Sequence, residues 1–359
     1  DKHSYLSLKQ HISHLNLVIP EWFFINPKTD KLVIQIDKKA LHIMRKAGIP
    51  IMPMLTNNYG SKFQSGSIGR IMKDPIKRKQ LINQLAEVCH RFHFVGINLD
   101  LEELNINDND LLTQMVGELT GIFHANKMYV TQDIGPFNED YDLVKLAKLD
   151  DYLMLMAYDE YSAETQAGPV SSQQYIEKCT DWAARNIPNH KLVLGLAAYG
   201  YDWCKSEGGT TVSFNQSMAA AQDADAKVHF DDDTYNLNYS YQDTDNGELH
   251  QVYFTDAVTL FNTMRFGTEY HLAGFGLWRL GTEDNRLWQF YGKDMSYENA
   301  AKMNVKKMMQ LKGISTVNYV GDGEVLDVES EPHAGKISIA VDKNDGLISE
   351  ENYEELPST

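Results

Sequence analysis

The chain has 359 residues, 43% of them apolar, and carries a net charge of −17 from 33 basic and 50 acidic side chains. With a mean hydropathy of −0.41, it is expected to bury a large core as one large domain or two smaller ones. The acidic balance argues against nucleic acid or an anionic membrane as partner, and the absence of any run of about 18 apolar residues argues against a membrane span.

The chain opens at Asp1 with no signal-peptide pattern, the start expected of a mature or excised fragment. Apolar, strand-like runs then recur at 15–26, 50–57, 94–102, 127–134, 152–159, 191–199, 250–257 and 272–279. Amphipathic helical patterns lie between them, at Asp37–Gly48, Asp74–Phe92, Asp108–Asn126 and Ser171–Asn186. Near-continuous apolar strands alternating with helices predict a parallel α/β sheet, and eight such units predict a (β/α)8 TIM barrel. A doubly wound open sheet is the alternative, but no Gly-x-Gly-x-x-Gly follows the first strand. The even spacing breaks between the sixth and seventh runs. There, residues 202–249 form an insertion rich in Asp, Thr, Asn and Tyr, with strand-like pieces at Val228–Phe230 and Tyr239–Tyr241. The barrel, with its insertion at 203–249, is expected over residues 1–295. A small β-rich appendage is expected over 296–359, with a helix-like piece at Asn299–Leu311 and strand-like runs at Thr316–Val320 and Lys336–Val341. Asp342–Gly346 followed by Glu351 looks like a calcium loop but is one residue too short. The three cysteines, Cys89, Cys179 and Cys204, lack metal-ligand spacing and are expected as free, mostly buried thiols.

Chemistry concentrates at the third run. Side chains alternate along a strand, so Asn98, Asp100 and Glu102 form a polar row about 7 Å from one member to the next, opposite Leu99 and Leu101. In a parallel strand with helices on both sides of it in sequence, buried acids need a reason to exist. Active sites of parallel barrels lie at the carboxyl ends of the strands. Here those ends offer Trp22, Asn57, Asp100, Glu102, Gln132, Met156, Tyr158, Asp159, Tyr199 and Trp278. Aromatic faces interleaved with amides and carboxylates suit sugar rings, whose C–H faces stack while their hydroxyls seek hydrogen bonds. No histidine stands at these ends and no Gly-rich nest with a lysine is present, so neither metal nor phosphate chemistry is expected, and no cofactor.

Val95–Glu102 resembles the Asp-Gly-x-x-x-Asp-x-Glu signature of glycoside hydrolase family 18, the chitinase-like barrels. Met156-Ala-Tyr-Asp159 resembles the same family's Met-x-Tyr-Asp, Leu194–Trp203 is similar to its sixth-strand segment in bacterial members, and Gly276–Asp284 to its eighth-strand segment. The resemblance implies a hydrolase of β-linked N-acetylglucosamine glycans that works with net retention, the substrate's acetamide acting as nucleophile. It implies Glu102 as general acid and base, Asp100 orienting the acetamide N–H, Tyr158 holding the acetamide oxygen, and Asp159 anchoring hydroxyls. Trp278 would floor the pocket, and Asn98, Met156, Tyr199, Trp22, Asn57 and Gln132 would complete the substrate contacts. The family usually has Asp at the positions of Val95 and Asn98. An amide at 98 is expected to serve Asp100 as a permanent donor, keeping it ionised further into acid. A sugar-binding module of a larger envelope protein is the competing reading. Similar barrels occur fused to polysaccharide deacetylase and glycosyltransferase modules, so covalently joined neighbouring domains are expected; the substrate class implies an extracytoplasmic location.

Overall fold

The computed structural model describes residues 1–105 and 109–310 in full, together with the backbone of four strands between 314 and 355. Contacts divide the chain into two units. One comprises Ile12–Met156 and Cys179–Leu194, the other Asp1–His11, Ala157–Lys178 and Gly195–Thr359.

The first unit is a sheet of β1 (Glu21–Ile25), β2 (Leu32–Ile34), β3 (Met54–Thr56), β4 (Gly96–Asp100), β5 (Tyr129–Ile134), β6 (Tyr152–Leu155) and the first half of β7 (Leu192–Ala197). Spatial order is β2-β1-β3-β4-β5-β6-β7. All pairings are parallel except β1–β2, a short antiparallel addition at the edge. Helices Lys38–Ala47, Pro75–Arg91 and Asn109–Ala125 follow the predicted ranges closely, because their ends are written in the sequence. The Asp37 side chain accepts from Lys39 N and Ala40 N, and Gly48 closes the same helix in the left-handed region at φ 70°. Asp74 caps the next helix ahead of Pro75 in the same way. Each such cap contributes about 1 kcal/mol. Leu55, Leu85, Ile97, Leu99, Phe123 and Val130 are fully buried and form the core that fixes β4 in place.

In the second unit, β7 continues beside β13 (Gly274–Trp278), while β8 (Gly200–Cys204), β9 (Gly208–Val212), β10 (His229–Phe230), β11 (Leu237–Gln242) and β12 (Leu249–Phe254) form an antiparallel sheet ordered β10-β11-β12-β8-β9. The expected insertion is therefore a folded sheet, and the strand expected as seventh of the barrel, 250–257, is its central member β12. The burial of β12 explains this: Val252 and Phe254 are buried while Leu249 and Gln251 are exposed, the half-buried alternation of an antiparallel strand rather than the apolar continuity of a parallel one. The ladder order β13-β7-β6-β5-β4-β3-β1-β2 still counts eight strands, with β2 as the eighth, and no pairing among the described residues closes it on itself. Helix Ala257–Glu269 packs Val258, Phe261 and Met264 against Leu287 and Phe290.

Beyond residue 310 the backbone forms β14 (Ile314–Val320), β15 (Glu324–Glu331), β16 (Gly335–Val341) and β17 (Ile348–Glu355), paired antiparallel as β14–β15 and β16–β17. The calcium-like loop at 342–347 lies outside the described residues. The helix-like stretch 299–311 holds two short helices, Tyr297–Ala300 and Val305–Met308. None of the three cysteines is in a disulfide; Cys89 and Cys179 are buried, and burial pushes the Cys89 thiol up to about 12. Among the described residues no helix is long and apolar enough to cross a membrane.

Candidate active site

The site in the first unit grows from β4 and its two neighbours. Thr56 on β3 stands in register with Asp100, and Thr131 on β5 with Asn98. Thr56 Oγ1 accepts from Asn58 N at 3.0 Å and donates to Asp100 Oδ2 at 3.1 Å, which commits its one proton to the carboxylate. Asp100 Oδ1, also buried, has no hydrogen-bond partner among the described residues. Leaving such an acceptor unpaired costs about 1–3 kcal/mol, so it is an atom that gains when a ligand N–H arrives. Burial pushes the Asp100 carboxyl above its ordinary range, and the neighbouring Glu102 carboxyl and Thr56 hydroxyl offset only part of this.

Glu102, half-buried, leaves the strand end held by its main chain. Asn57 Nδ2 donates to Glu102 O at 2.8 Å, and Glu102 N donates to Asn57 Oδ1 at 2.9 Å. Asn57 is fully buried, so the expected sugar contact is instead a clamp on Glu102. Tyr141, which the sequence reading missed, donates its phenol proton to Leu101 O at 2.8 Å and so pins the peptide between the two acids. Only tertiary contact could reveal it, since Tyr141 lies 40 residues away from Leu101 in the chain.

Asn98 does not serve Asp100. Its Oδ1 accepts from Thr131 Oγ1 at 2.6 Å and its Nδ2 donates to Asp133 Oδ2 at 3.0 Å. The expectation that Asn98 keeps Asp100 ionised further into acid is thus overturned, because the amide is spent on β5 and burial moves Asp100 the other way. Burial pushes Asp133 well above the carboxylate range, the charge of Asp100 adds to the push, and the Asn98 amide counters little of it. Gln132 was the residue expected from this strand end. It stands in register with Leu99, on the opposite face, where it is buried with neither side-chain polar atom paired among the described residues. Asp133, one position on, carries the polar face instead. Trp22 is buried with its ring 6.0 Å from that of Phe94, so it belongs to the core rather than to a sugar surface. Met156 is half-buried after β6, its N donating to Ile134 O at 3.0 Å.

The second unit holds a tyrosine cluster around Asp159. Tyr199 and Tyr201 both donate to Asp159 Oδ1, at 2.5 and 2.8 Å. Burial around the carboxyl pushes Asp159 up, and the two phenols offset part of that. The Tyr158 ring meets Tyr199 edge-on at 6.2 Å, and Tyr199 meets Tyr201 edge-on at 5.6 Å, a chain of contacts that fixes all three phenols. Trp278, at the end of β13, is 37% exposed, and its carbonyl accepts from Ala198 N at 2.8 Å. The predicted site residues thus fall into two groups, each organised within its own unit.

The sequence profile of glycosyl hydrolases family 18 matches residues 21–283. The chain belongs to this family. It is therefore a glycoside hydrolase. Among curated relatives of this family 18 chain, the uncharacterized glycosylase YvbX of Bacillus subtilis is 24% identical over 302 residues, covering 80% of this chain and 87% of that protein. The cortical fragment-lytic enzyme of the same organism is 26% identical over 253 residues, covering 66% of this chain but only 58% of its own length. A crystal structure of a chitinase from Chromobacterium violaceum superposes with a TM-score of 0.74 at 24% identity, covering 79% of this chain and 93% of that one. This likeness establishes a shared α/β fold.

Proposed function

We propose that this family 18 enzyme cleaves β-linked N-acetylglucosamine glycans, outside the cytoplasm, by a retaining mechanism in which the substrate's own acetamide is the nucleophile. The observation that carries the reading is Asp100 Oδ1: a buried, unpaired acceptor two residues before a half-buried glutamate. An acetamide N–H is a donor of the right kind for it. Glu102 gives its proton to the glycosidic oxygen as the bond from that oxygen to the anomeric carbon breaks, and the acetamide oxygen closes on that carbon. The Glu102 carboxylate then takes a proton from the water that opens the resulting oxazolinium ring, restoring the starting configuration. Asp100 bears the negative charge that faces this cation. Two close carboxyls resist double ionisation, and burial together with the charge of Asp100 raises Asp133. Asp133 thus offers from β5 a second carboxyl in place of the family's usual Asp at position 98. The family resemblance implies the acetamide oxygen for Tyr158, the sugar hydroxyls for Asp159 and the ring face for Trp278.

Incubation with N-acetylglucosamine oligomers and with peptidoglycan strands tests this. Shorter products with retained anomeric configuration are expected, and Glu102→Gln should slow their release by about 10²–10⁴-fold. Binding without cleavage by the unaltered chain would replace the hydrolase reading with that of a sugar-binding module.

A further inference from the structure

The antiparallel sheet of the second unit carries a second cluster of reactive side chains that the glycan chemistry does not use. Cys204 ends β8, while Glu248 and His250 flank the start of β12. In the β8–β12 ladder Gln251 opposes Trp203 and Val252 opposes Asp202. Strand alternation then sets Asp202, Cys204, Glu248 and His250 on one face, with His250 across from Cys204. One donor atom each from Cys204, Glu248 and His250 lies within 4.8 Å of the other two.

The surroundings orient this trio. Asp202 Oδ1 sits 2.8 Å from His250 Nδ1, which fixes the ring and leaves Nε2 as its remaining ligand atom. Tyr241 donates to Asp202 Oδ2 at 3.0 Å and stacks on the imidazole at 4.7 Å, so the carboxylate is itself held. Ser206 N and Oγ each donate to Glu248, at 2.6 Å, and these bonds hold its carboxyl below the ordinary range. A hydrogen-bond network alone would account for Asp202, His250 and Tyr241. The half-exposed Cys204 thiol joins it through Ser206 Oγ at 3.6 Å and the Glu248 carboxyl, which brings a soft sulfur donor to the same cluster.

We propose that Cys204, Glu248 and His250 bind a zinc ion, with Asp202 as the positioning residue behind the histidine. A thiolate, an imidazole and a carboxylate are the donor set that Zn²⁺ accepts in tetrahedral sites, and three protein ligands leave the fourth position to water. Calcium and magnesium demand oxygen donors and fit poorly. A carboxylate behind the histidine is the usual outer support of such sites. Binding releases the Cys204 proton to solvent, so affinity rises with pH. The ion clamps the end of β8 to the start of β12, across the chain segment 205–247. This proposal stands apart from the glycan reading and does not depend on it.

The test uses the whole chain, stripped of metal by a chelator under reducing conditions and titrated with Zn²⁺ by calorimetry, with Co²⁺ in parallel. Expected are one zinc per chain, a thiolate-to-cobalt charge-transfer band, a raised Tm, and no competition from Ca²⁺. Cys204→Ser should abolish the band and weaken zinc binding at least hundredfold. Asp202→Asn should keep the band and weaken binding about 10–100-fold. Circular dichroism matched to the unaltered chain certifies that each variant folds, and His250→Ala repeats the test with a second ligand removed. Zinc binding or a Tm rise that survives unchanged in Cys204→Ser and His250→Ala, or no binding by the unaltered chain, overturns the proposal.

Discussion

Two sets of buried acids in this chain are handled in opposite ways. In the second unit, Asp256 and Asp284 share the guanidinium of Arg286, whose Nη2 lies 3.0 and 2.7 Å from their Oδ2 atoms. Both also cap helices: Asp256 accepts from Thr259 N at 3.0 Å, and Asp284 from Arg286 N at 3.0 Å. In the first unit, Asp100 and Asp133 are nearly as deep, yet the side-chain partners described for them are the Thr56 hydroxyl, the Glu102 carboxyl and the Asn98 amide, none of them a cation. Acids that meet a cation hold the fold. Acids buried without a cation have raised affinity for a proton, the property that acid–base chemistry exploits.

Removing the cation should break this contrast most visibly. Arg286→Met strands two buried carboxylates and is expected to cost about 3–5 kcal/mol of stability, read from denaturant midpoints. Asp133→Asn should leave the denaturant midpoint at neutral pH unchanged or raised, while kcat falls about 10–100-fold through the loss of the carboxyl whose titration responds to the charge of Asp100. Adding Asn98→Asp to it should restore part of the rate, by returning a carboxyl to the neighbourhood of Asp100. A double variant no better than Asp133→Asn would rule out a role for the second carboxyl. Stability against pH sharpens the same point. Because burial raises Asp133 in the folded state, its contribution is present below the ordinary carboxylate range and is lost as pH rises towards the folded value. Asp133→Asn should flatten that decline by at most about 1.4 kcal/mol per pH unit, one proton's worth. Smallest of all, Tyr201→Phe leaves Asp159 with the Tyr199 phenol and is expected to raise KM about two- to fivefold, given about 0.5–1 kcal/mol for one hydrogen bond.

Much of the parallel sheet was legible in the sequence because its signals are local. Asp37, Gly48 and Asp74 announce helix ends by side-chain chemistry within a few residues of themselves. The acid row was legible too, since alternation along β4 needs no partner. Pairing was not. The run at 250–257 carries enough apolar residues to be read as a barrel strand, and only its ladder with β8 and β11 shows it to be antiparallel. The register of β5 against β4 decides that Asp133 rather than Gln132 joins the row, a difference of one position that composition does not mark. Asn57 shows the same limit from another side. Its residue type suits sugar or backbone equally, and its choice of Glu102 depends on a loop that is 45 residues away in sequence.

Because Asn57 grips both the N–H and the carbonyl of residue 102, the main chain there cannot slide to compensate for a shorter arm. The reach of the proton donor is set by the number of methylenes in its side chain and by little else. Glu102→Asp should therefore behave almost as badly as outright removal of the acid, given that a displacement of about 1 Å at a reacting centre can cost 10²-fold.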